Sequence, residues 1–289
     1  MTEEKLVGEE TGQLLNLKDM VRAYGELASI RMKKTRESVL YNRKFLGQLY
    51  EVFEEVRASY FAQVARLVRK RRTDGGDGIT FLAHNGRNVA VFFSANSRLY
   101  GDLLGEVFEL FLRDVRAGSE ATVVGKAGLS MFRAVEKGRP VTYFDAPDLG
   151  VDEVVLSQLV RHLVQYEEVR VFYGKYENEG FPKASGLKLS SKIVERQHEE
   201  PETVKFIFEP TLLDILKFFE KEIFGSLLEQ SVKESQLAKS ASRLIAMNQA
   251  EIRINQGLEA LMTRKLELKH RNSDRKQLGA LIGLKGRAI

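Results

Sequence analysis

Two glycine-rich runs are the first residues here that could do chemistry, because glycine loops beside lysine can bind phosphate. In the run Val124 to Gly128, lysine is followed by Ala127, where a phosphate loop needs Ser or Thr. Gly75, Gly76 and Gly78 lack the preceding apolar strand of a dinucleotide fingerprint. The first run therefore predicts a turn that ends a strand, and the second predicts a linker.

The sequence also shows no motif for a metal site or for a catalytic nucleophile. None of the histidines has the spacing of a metal motif; they are His84, His162, His198 and His270. The chain has no cysteine, which excludes thiolate zinc sites and cysteine nucleophiles, and it has no Gly-x-Ser-x-Gly elbow. We therefore expect no metal, no cofactor and no catalysis by this chain alone.

The composition predicts a folded chain whose positive and negative charges nearly balance, so that only local patches can be strongly charged. Of 289 residues, 43% are hydrophobic and 29% are charged, and the net charge is only +5. Such a hydrophobic content can bury a core. The acidic, polar start of the chain does not resemble a signal peptide, and no stretch approaches the ~18 uninterrupted apolar residues of a membrane span. We therefore expect a cytoplasmic chain.

Helical spacing dominates the first part of the sequence. Between Gly12 and Arg72 there is no proline, and apolar residues recur three and four apart, as in a coiled coil. This face comprises Leu14, Leu17, Val21, Tyr24 and Ala28. The apolar face resumes at Val39 in a register displaced by four residues, which predicts a stutter in the coiled coil.

The last part of the sequence predicts a second long helix, from Thr211 to about Leu281. Its face is apolar at both ends and polar in the middle, where Asn248, Glu251 and Asn255 take inward positions. A buried asparagine costs a coiled coil stability but fixes its register. Two terminal helices that pack on each other are therefore expected.

Strand and helix patterns alternate between these helices. The predicted strands are Val89–Phe93, Ala121–Val124, Val141–Phe144, Val169–Tyr173, Leu187–Ile193 and Val204–Phe208. Asn85-Gly86 predicts a hairpin between residues 79–83 and Val89–Phe93, and Leu103–Val115 and Asp152–Gln165 predict helices. The expected fold is α/β with a long coiled coil. Helices in residues 1–74 and 210–289 pair antiparallel around an inserted Rossmann-like α/β domain of residues 75–209.

Four blocks, in order along the chain, resemble a known family. Asn16 to Lys33 looks like that family's opening helix, with Asn16, Ala23, Ala28 and Met32 identical. Ser97 to Leu103 and Val124 to Gly128 are similar to its Ser-Asp-Arg-Gly-Leu-Cys-Gly-Gly-Leu and Val-Gly-Lys-Lys-Gly. Ala241 to Met247 is close to its Ser-Arg-Met-x-Ala-Met. The family is the gamma, or central-stalk rotor, subunit of F-type ATP synthases.

The chain departs from the family where contacts with the stator matter most. The family's late tract Tyr-Asn-x-x-Arg-Gln-x-x-Ile-Thr-x-Glu corresponds to Lys265 to Gln277, with Lys269 and His270 in place of Arg-Gln. In the opening helix, Tyr24 replaces a methionine. These changes indicate a divergent branch or a specialised paralogue.

The resemblance implies a mechanical, non-catalytic role. In the family, paired helices penetrate a ring of catalytic and non-catalytic head subunits, and the α/β domain binds the membrane ring below. The implied partners are those head subunits, a small epsilon-like stalk subunit and the c-ring, with no cofactor and no nucleic acid. The implied location is the cytoplasmic face of the membrane, as a peripheral part of the complex.

The resemblance also implies contact residues. Those facing the head would be Tyr24, Met32, Arg243, Met247, Lys269 and His270. Those near the small stalk subunit and the ring would be Arg98, Tyr100 and Asp102. Lys33 and Lys34 belong to a basic collar that would face acidic loops of the catalytic subunits. Exposed ion pairs contribute about 0.2 to 1 kcal/mol each, which suits a surface that must slide.

Two other functional classes stay open at this stage. A nucleic-acid-binding or scaffolding coiled-coil protein would explain the basic run Lys269 to Lys276. However, no aromatic residue lies between Lys265 and Ile289 to stack on bases. A standalone α/β enzyme is the third reading, weakened by the missing site and by helices too long for one domain.

Overall fold

The computed structural model describes residues 3–59, 84–97, 99–176, 181–189, 209 and 211–285. Its helices are α1 (Glu3–Ser59), α2 (Leu103–Arg116), α3 (Lys126–Val135), α4 (Glu153–Leu163) and α5 (Leu212–Lys285). Its strands are β1 (Asn88–Phe93), β2 (Glu120–Val124), β3 (Val141–Phe144), β4 (Glu168–Lys175) and β5 (Lys183–Leu189). The first helix starts earlier than predicted, and its predicted end at Arg72 lies outside the described residues.

The strands form one mixed sheet in the order β3-β2-β1-β4-β5. β1 pairs in parallel with β2 and β4, β2 pairs in parallel with β3, and β5 runs antiparallel to β4. The chain first builds outward from β1 to β2 and β3, and then returns to place β4 on the other side of β1. The resulting order, 3-2-1-4, is that of a doubly wound nucleotide-binding fold. The Rossmann-like prediction is confirmed.

The predicted hairpin at β1 is wrong. Both edges of β1 are taken by parallel strands, so an antiparallel partner cannot pair with it. The proposed partner, residues 79–83, lies outside the described residues. Gly86 does adopt a positive φ of 71°, as a turn requires. This turn does not close a hairpin: the backbone N–H of Asn85 donates instead to the carbonyl of Gln165, in the loop before β4, at 2.7 Å.

Two other elements differ from the sequence expectations. Helix α3 was not predicted, because a turn was expected at Val124 to Gly128. The turn exists at Gly125, with φ of 101°, and α3 follows it at once. Strand β5 begins at Lys183, four residues before its predicted start, whereas its predicted end at Ile193 and the predicted strand at 204–208 lie outside the described residues.

Each face of the sheet is covered by a separate hydrophobic core. On one face, α2 and α3 bury a cluster of aromatic rings in which Phe111 contacts Phe92, Phe108, Phe132 and Phe172. On the other face, Leu159 and Leu163 of α4 and Leu228 of α5 pack on the buried side chains of the strands. The sheet is therefore the middle layer of a three-layer domain.

The chain divides into two compact units, residues 1–30 with 243–289 and residues 31–242. In the first unit, Val21 of α1 packs against Met247, Ile254 and Leu258 of α5. In the second, Phe53 of α1 packs against Leu216 and Ile223 of α5. Glu3 and Arg22 pair with Arg271 and Glu251 in the first unit, and Arg43 pairs with Glu234 in the second. Within each unit, successive residues of α1 therefore meet successively earlier residues of α5, so the two helices run antiparallel. The coiled-coil prediction is confirmed.

The predicted stutter in α1 is wrong. From Val7 to Val56 the inward-facing positions, which are buried or half-buried, follow one another at spacings that alternate between four and three residues. This heptad pattern has no break. Polar residues, Thr35 and Asn42, occupy two of these buried positions, which is why a search for apolar residues alone found a displaced register. In α5 the inward residue is Met247, whereas Asn248 is exposed and Glu251 and Asn255 are only half-buried.

No helix in the described ranges has both the length and the apolar character needed to cross a membrane. Within the same ranges, no cluster of three or more His, Asp or Glu side chains is arranged to hold a metal ion.

Candidate functional site

The carboxyl ends of β1 and β4 form the edge where a fold of this kind has its ligand crevice, because the strand order reverses there. In this chain α5 lies at that edge. Lys239 of α5 donates from Nζ to the carbonyl oxygen of Ser94, directly after β1, at 2.7 Å. At the end of β4, a Cβ on Gly174 would meet Leu103 Cδ2 at 2.8 Å and Ala238 Cβ at 3.2 Å. The helix therefore fills the crevice.

The part of α5 that lies here buries an unusual number of polar side chains. They are Ser231, Glu234, Ser235, Gln236, Lys239, Ser240 and Ser242. Burying polar groups is costly unless they form hydrogen bonds, and backbone carbonyls of the neighbouring loops provide acceptors. Ser242 Oγ donates to the carbonyl of Tyr100 at 2.5 Å, and Gln236 Nε2 donates to that of Gly150 at 2.6 Å. Directional bonds thus fasten α5 to the loops at this edge.

The loops that receive these bonds are themselves held by Asp148. Its Oδ1 accepts the backbone N–H of Asn96 at 2.6 Å, and its Oδ2 accepts the hydroxyl and the backbone N–H of Ser97 at 2.6 Å and 3.0 Å. Burial raises the pKa of this carboxyl, but the bonds from Ser97 and Asn96 outweigh burial and hold the pKa below its ordinary range. An ionised Asp148 therefore braces the segment after β1.

Asn96 extends this bracing to the next strands. Its Nδ2 donates to Asp145 at 3.0 Å, after β3, and its Oδ1 accepts the backbone N–H of Lys126 at 2.8 Å, after β2. The Lys126 ammonium lies 3.3 Å from Asp145. The residues following β1, β2 and β3 are thus joined into one polar network. The lysine that resembled a phosphate-binding residue forms an ion pair within that network.

The predicted contact residues differ in how far the structure exposes them. Six are at least partly exposed: Tyr24, Lys33, Lys34, Asp102, Lys269 and His270. Met32 is half-buried, Arg98 lies outside the described residues, and Tyr100, Arg243 and Met247 are buried. Tyr100 lies beside the bracing network, with its hydroxyl 2.8 Å from Ser97 Oγ. Met247 belongs to the core of the first unit.

Sequence reasoning missed the fastening residues of α5. Gln236, Lys239 and Ser242 recur every three residues, in a stretch where the apolar residues Leu237, Ala238 and Ala241 are buried as well. Polar residues at core spacing are a signal that the helix packs against carbonyl-rich loops and not against another apolar face.

Comparison with known proteins identifies the family. The family model described as ATP synthase matches residues 10–270. The curated relatives it resembles include the ATP synthase gamma chain of Mycoplasma capricolum, 19% identical over 248 residues that cover 83% of each chain. The chain belongs to the ATP synthase gamma family.

Two further matches agree with this family assignment. The ATP synthase gamma chain of Clostridium botulinum is 22% identical over 253 residues, covering 84% of this chain and 83% of that one. The fold is similar to a chain of the Tetrahymena thermophila mitochondrial ATP synthase, in a structure of its central stalk and c-ring. That likeness has a TM-score of 0.56 at 16% identity and covers 80% of this chain and 99% of that chain. The resemblance found in the four sequence blocks is confirmed.

Proposed function

We propose that this chain is the central-stalk rotor of an F-type ATP synthase. It is a non-catalytic subunit that mechanically couples ion flow through a membrane ring to ATP synthesis or hydrolysis in a catalytic head. The observation that carries the proposal is the filled crevice: where this fold has its ligand site, Lys239, Gln236 and Ser242 fasten a long helix instead. Among the described residues, the domain thus holds a helix at the edge where this fold otherwise binds a nucleotide.

The proposed partners are the catalytic and non-catalytic subunits of the head, a small epsilon-like stalk subunit and the membrane c-ring. The assembly would place the chain at the cytoplasmic face of the membrane as a peripheral subunit. We propose that the chain comprises an N-terminal helix (1–74), an α/β domain (75–209) and a C-terminal helix (210–289).

The exposed contact residues are proposed to act on the head by weak, non-fixed interactions. Lys33 and Lys34 are exposed on α1, and Lys269 and His270 are exposed on α5. A rotating shaft can shift a catalytic subunit between its open and closed states only to the extent that the shaft binds one of these states more tightly than the other. Exposed charges attract over a Debye length of about 8 Å at physiological salt without holding one geometry. Tyr24 and Met32 would add apolar contact, and Asp102 would face the small stalk subunit and the ring.

The first test is affinity purification of the tagged chain from its native cells, with mass spectrometry and an ATPase assay of the eluate. We expect several nucleotide-binding subunits per tagged chain, and ATPase activity in the eluate but not in the purified chain alone. Recovery of RNA or ribosomal proteins, or of no stable partner, would overturn the proposal and favour the nucleic-acid-binding or scaffolding alternative.

A charge-reversal pair tests the basic collar within the same experiment. Lys33→Glu with Lys34→Glu should reduce recovery of the head subunits, and the reduction should shrink as salt is raised. Lys137→Glu, also exposed but in the α/β domain, is the matched control and should leave recovery of the head unchanged. Equal recovery with all three chains would remove the collar from the proposed contact surface.

A further inference from the structure

A carboxylate on α5 lies buried between three elements of the second unit. The Glu234 side chain is only 5% exposed. Its Oε1 accepts from Arg43 Nη2 at 2.6 Å and Nε at 3.2 Å, and from Gln230 Nε2 at 2.9 Å. Its Oε2 accepts the hydroxyl of Tyr173 at 3.0 Å. Arg43 belongs to α1 and Tyr173 to β4, so one carboxylate contacts both long helices and the sheet.

The charges and protonation states fit this arrangement. Burial raises the pKa of Glu234, but the bonds from Gln230 and Arg43 outweigh it and lower the pKa, which keeps the carboxylate ionised. Burial and the nearby Glu234 charge raise the pKa of Tyr173, so the phenol stays protonated and donates. Both carboxylate oxygens therefore hold directional, charge-assisted bonds, which are stronger than neutral ones.

Directional bonds and apolar contacts resist different motions. The clusters of apolar side chains in the second unit are held by an attraction that depends on buried area and not on direction. Such contacts oppose separation of the helices more than they oppose twisting or sliding of one helix on another. A bond network with fixed donor and acceptor geometry opposes both, because a shift of about an ångström breaks it.

We propose that Glu234 is a positioning residue that locks α1, α5 and β4 against relative twisting, so that the helices and the domain turn together. The inference rests on the proposed rotor function and assigns the torsional lock within it to the contacts of Glu234 with Arg43 and Tyr173. Without the lock, the contacts between α1, α5 and β4 yield under load, so that some ATP is hydrolysed without the matching movement of the domain and fewer ions are transported per ATP.

The experiment reconstitutes the complete complex in vesicles with wild-type chain, Glu234→Gln, Arg43→Gln and the double variant. The measured quantity is ions transported per ATP hydrolysed, at ATPase rates matched by adjusting ATP. Heads that are not bound to the vesicles are washed away before the measurement, so that the ratio does not change when a variant merely lowers the amount of folded or assembled complex. The matched control is Glu136→Gln, which removes a 2.8 Å ion pair with Arg116 inside the α/β domain and should keep the wild-type ratio.

We expect both single variants to lower the ratio and the double variant to lower it no further than the more impaired single, because both break one network. A wild-type ratio in both single variants, or losses that add in the double variant, would overturn the inference. If either single variant does not assemble, Tyr173→Phe decides alone, because it removes only the hydroxyl bond to Glu234 Oε2 and keeps the aromatic ring in place. Failure of the wild-type chain to join head and ring would instead overturn the proposed function.

Discussion

Helix α5 meets two different environments along its length. In the second unit, residues 231–242 are buried around most of the helix and many of them are polar, with side chains bonded to loop carbonyls. In the first unit, the residues after Arg243 that the structure describes as buried form an apolar stripe of Met247, Ile254, Leu258 and Leu268, and Met262 and Leu266 are exposed. One helix can thus be fastened by direction-dependent bonds in one segment and held by an apolar stripe in another.

The largest expected effect on stability comes from shortening a buried side chain of α5 in the second unit, compared with an exposed one in the first. Leu228 is fully buried in the second unit, whereas Met262 is 57% exposed in the first. Leu228→Ala should lower the free energy of unfolding by about 2 to 5 kcal/mol through lost contacts and a cavity. Met262→Ala should change it by about 0.5 kcal/mol or less. Urea unfolding followed by circular dichroism measures both, and equal midpoint shifts would contradict the comparison.

Glycine substitutions should act with opposite signs in the two environments. A Cβ at Gly174 would meet Leu103 Cδ2 and Ala238 Cβ, and although the leucine can turn, Ala238 is fixed to α5. Gly174→Ala should therefore cost about 1 to 3 kcal/mol through overpacking. Gly12, on α1 of the first unit, has open space around its Cβ position.

Gly12→Ala should stabilise the chain by roughly 0.5 to 1 kcal/mol, because alanine favours a helix over glycine. The melting temperatures of the two variants should thus move in opposite directions from that of the wild type. A rise for Gly174→Ala would mean that α5 does not approach the sheet as closely as the structure places it.

Much of the fold could be predicted because it depends on periodic apolar patterns. The strands at β1 to β4 and both long helices follow such patterns, and their positions agree closely with prediction. The register of α1 could not be read in this way, because Thr35 and Asn42 are buried at positions that look solvent-facing from composition.

The candidate site was harder to predict than the fold. The bonds of Lys239 and Ser242 join residues far apart in sequence, to the loops after β1, and no local pattern reports them. The gamma-family resemblance gave the correct family, but it placed Met247 on a contact surface, whereas the structure buries it against Val21. A motif identifies a relative more reliably than it locates a surface.

Acid should lower the stability of the second unit by protonating Glu234. Its folded-state pKa is lowered below its ordinary value of 4.5, despite burial, by bonds from Gln230 and Arg43. A lowered carboxyl pKa contributes stability that is fully present above the unfolded pKa and is lost as the pH falls through the folded pKa. Wild type should therefore lose stability relative to Glu234→Gln as the pH is lowered from 7 to 3 in urea unfolding. A difference between the two chains that stays constant over that range would contradict this.

The smallest expected effect concerns an exposed ion pair that also joins α1 to α5, in the first unit. Arg22 Nε lies 2.7 Å from Glu251 Oε1, and the arginine side chain is 55% exposed. Arg22→Gln should cost only about 0.2 to 1 kcal/mol in low salt, because water screens the pair. The cost should vanish near 1 M salt, where the Debye length falls to about 3 Å.

Arg43→Gln removes the corresponding cation in the second unit but leaves the Glu234 carboxylate buried. Its cost should be larger and should persist at high salt, because an uncompensated buried charge is destabilising whatever the ionic strength outside. Urea unfolding of both variants at low and high salt therefore compares the two segments directly. If the Arg43 effect were screened as fully as the Arg22 effect, the carboxylate would be solvated, and the two segments would not differ in how they hold the helices.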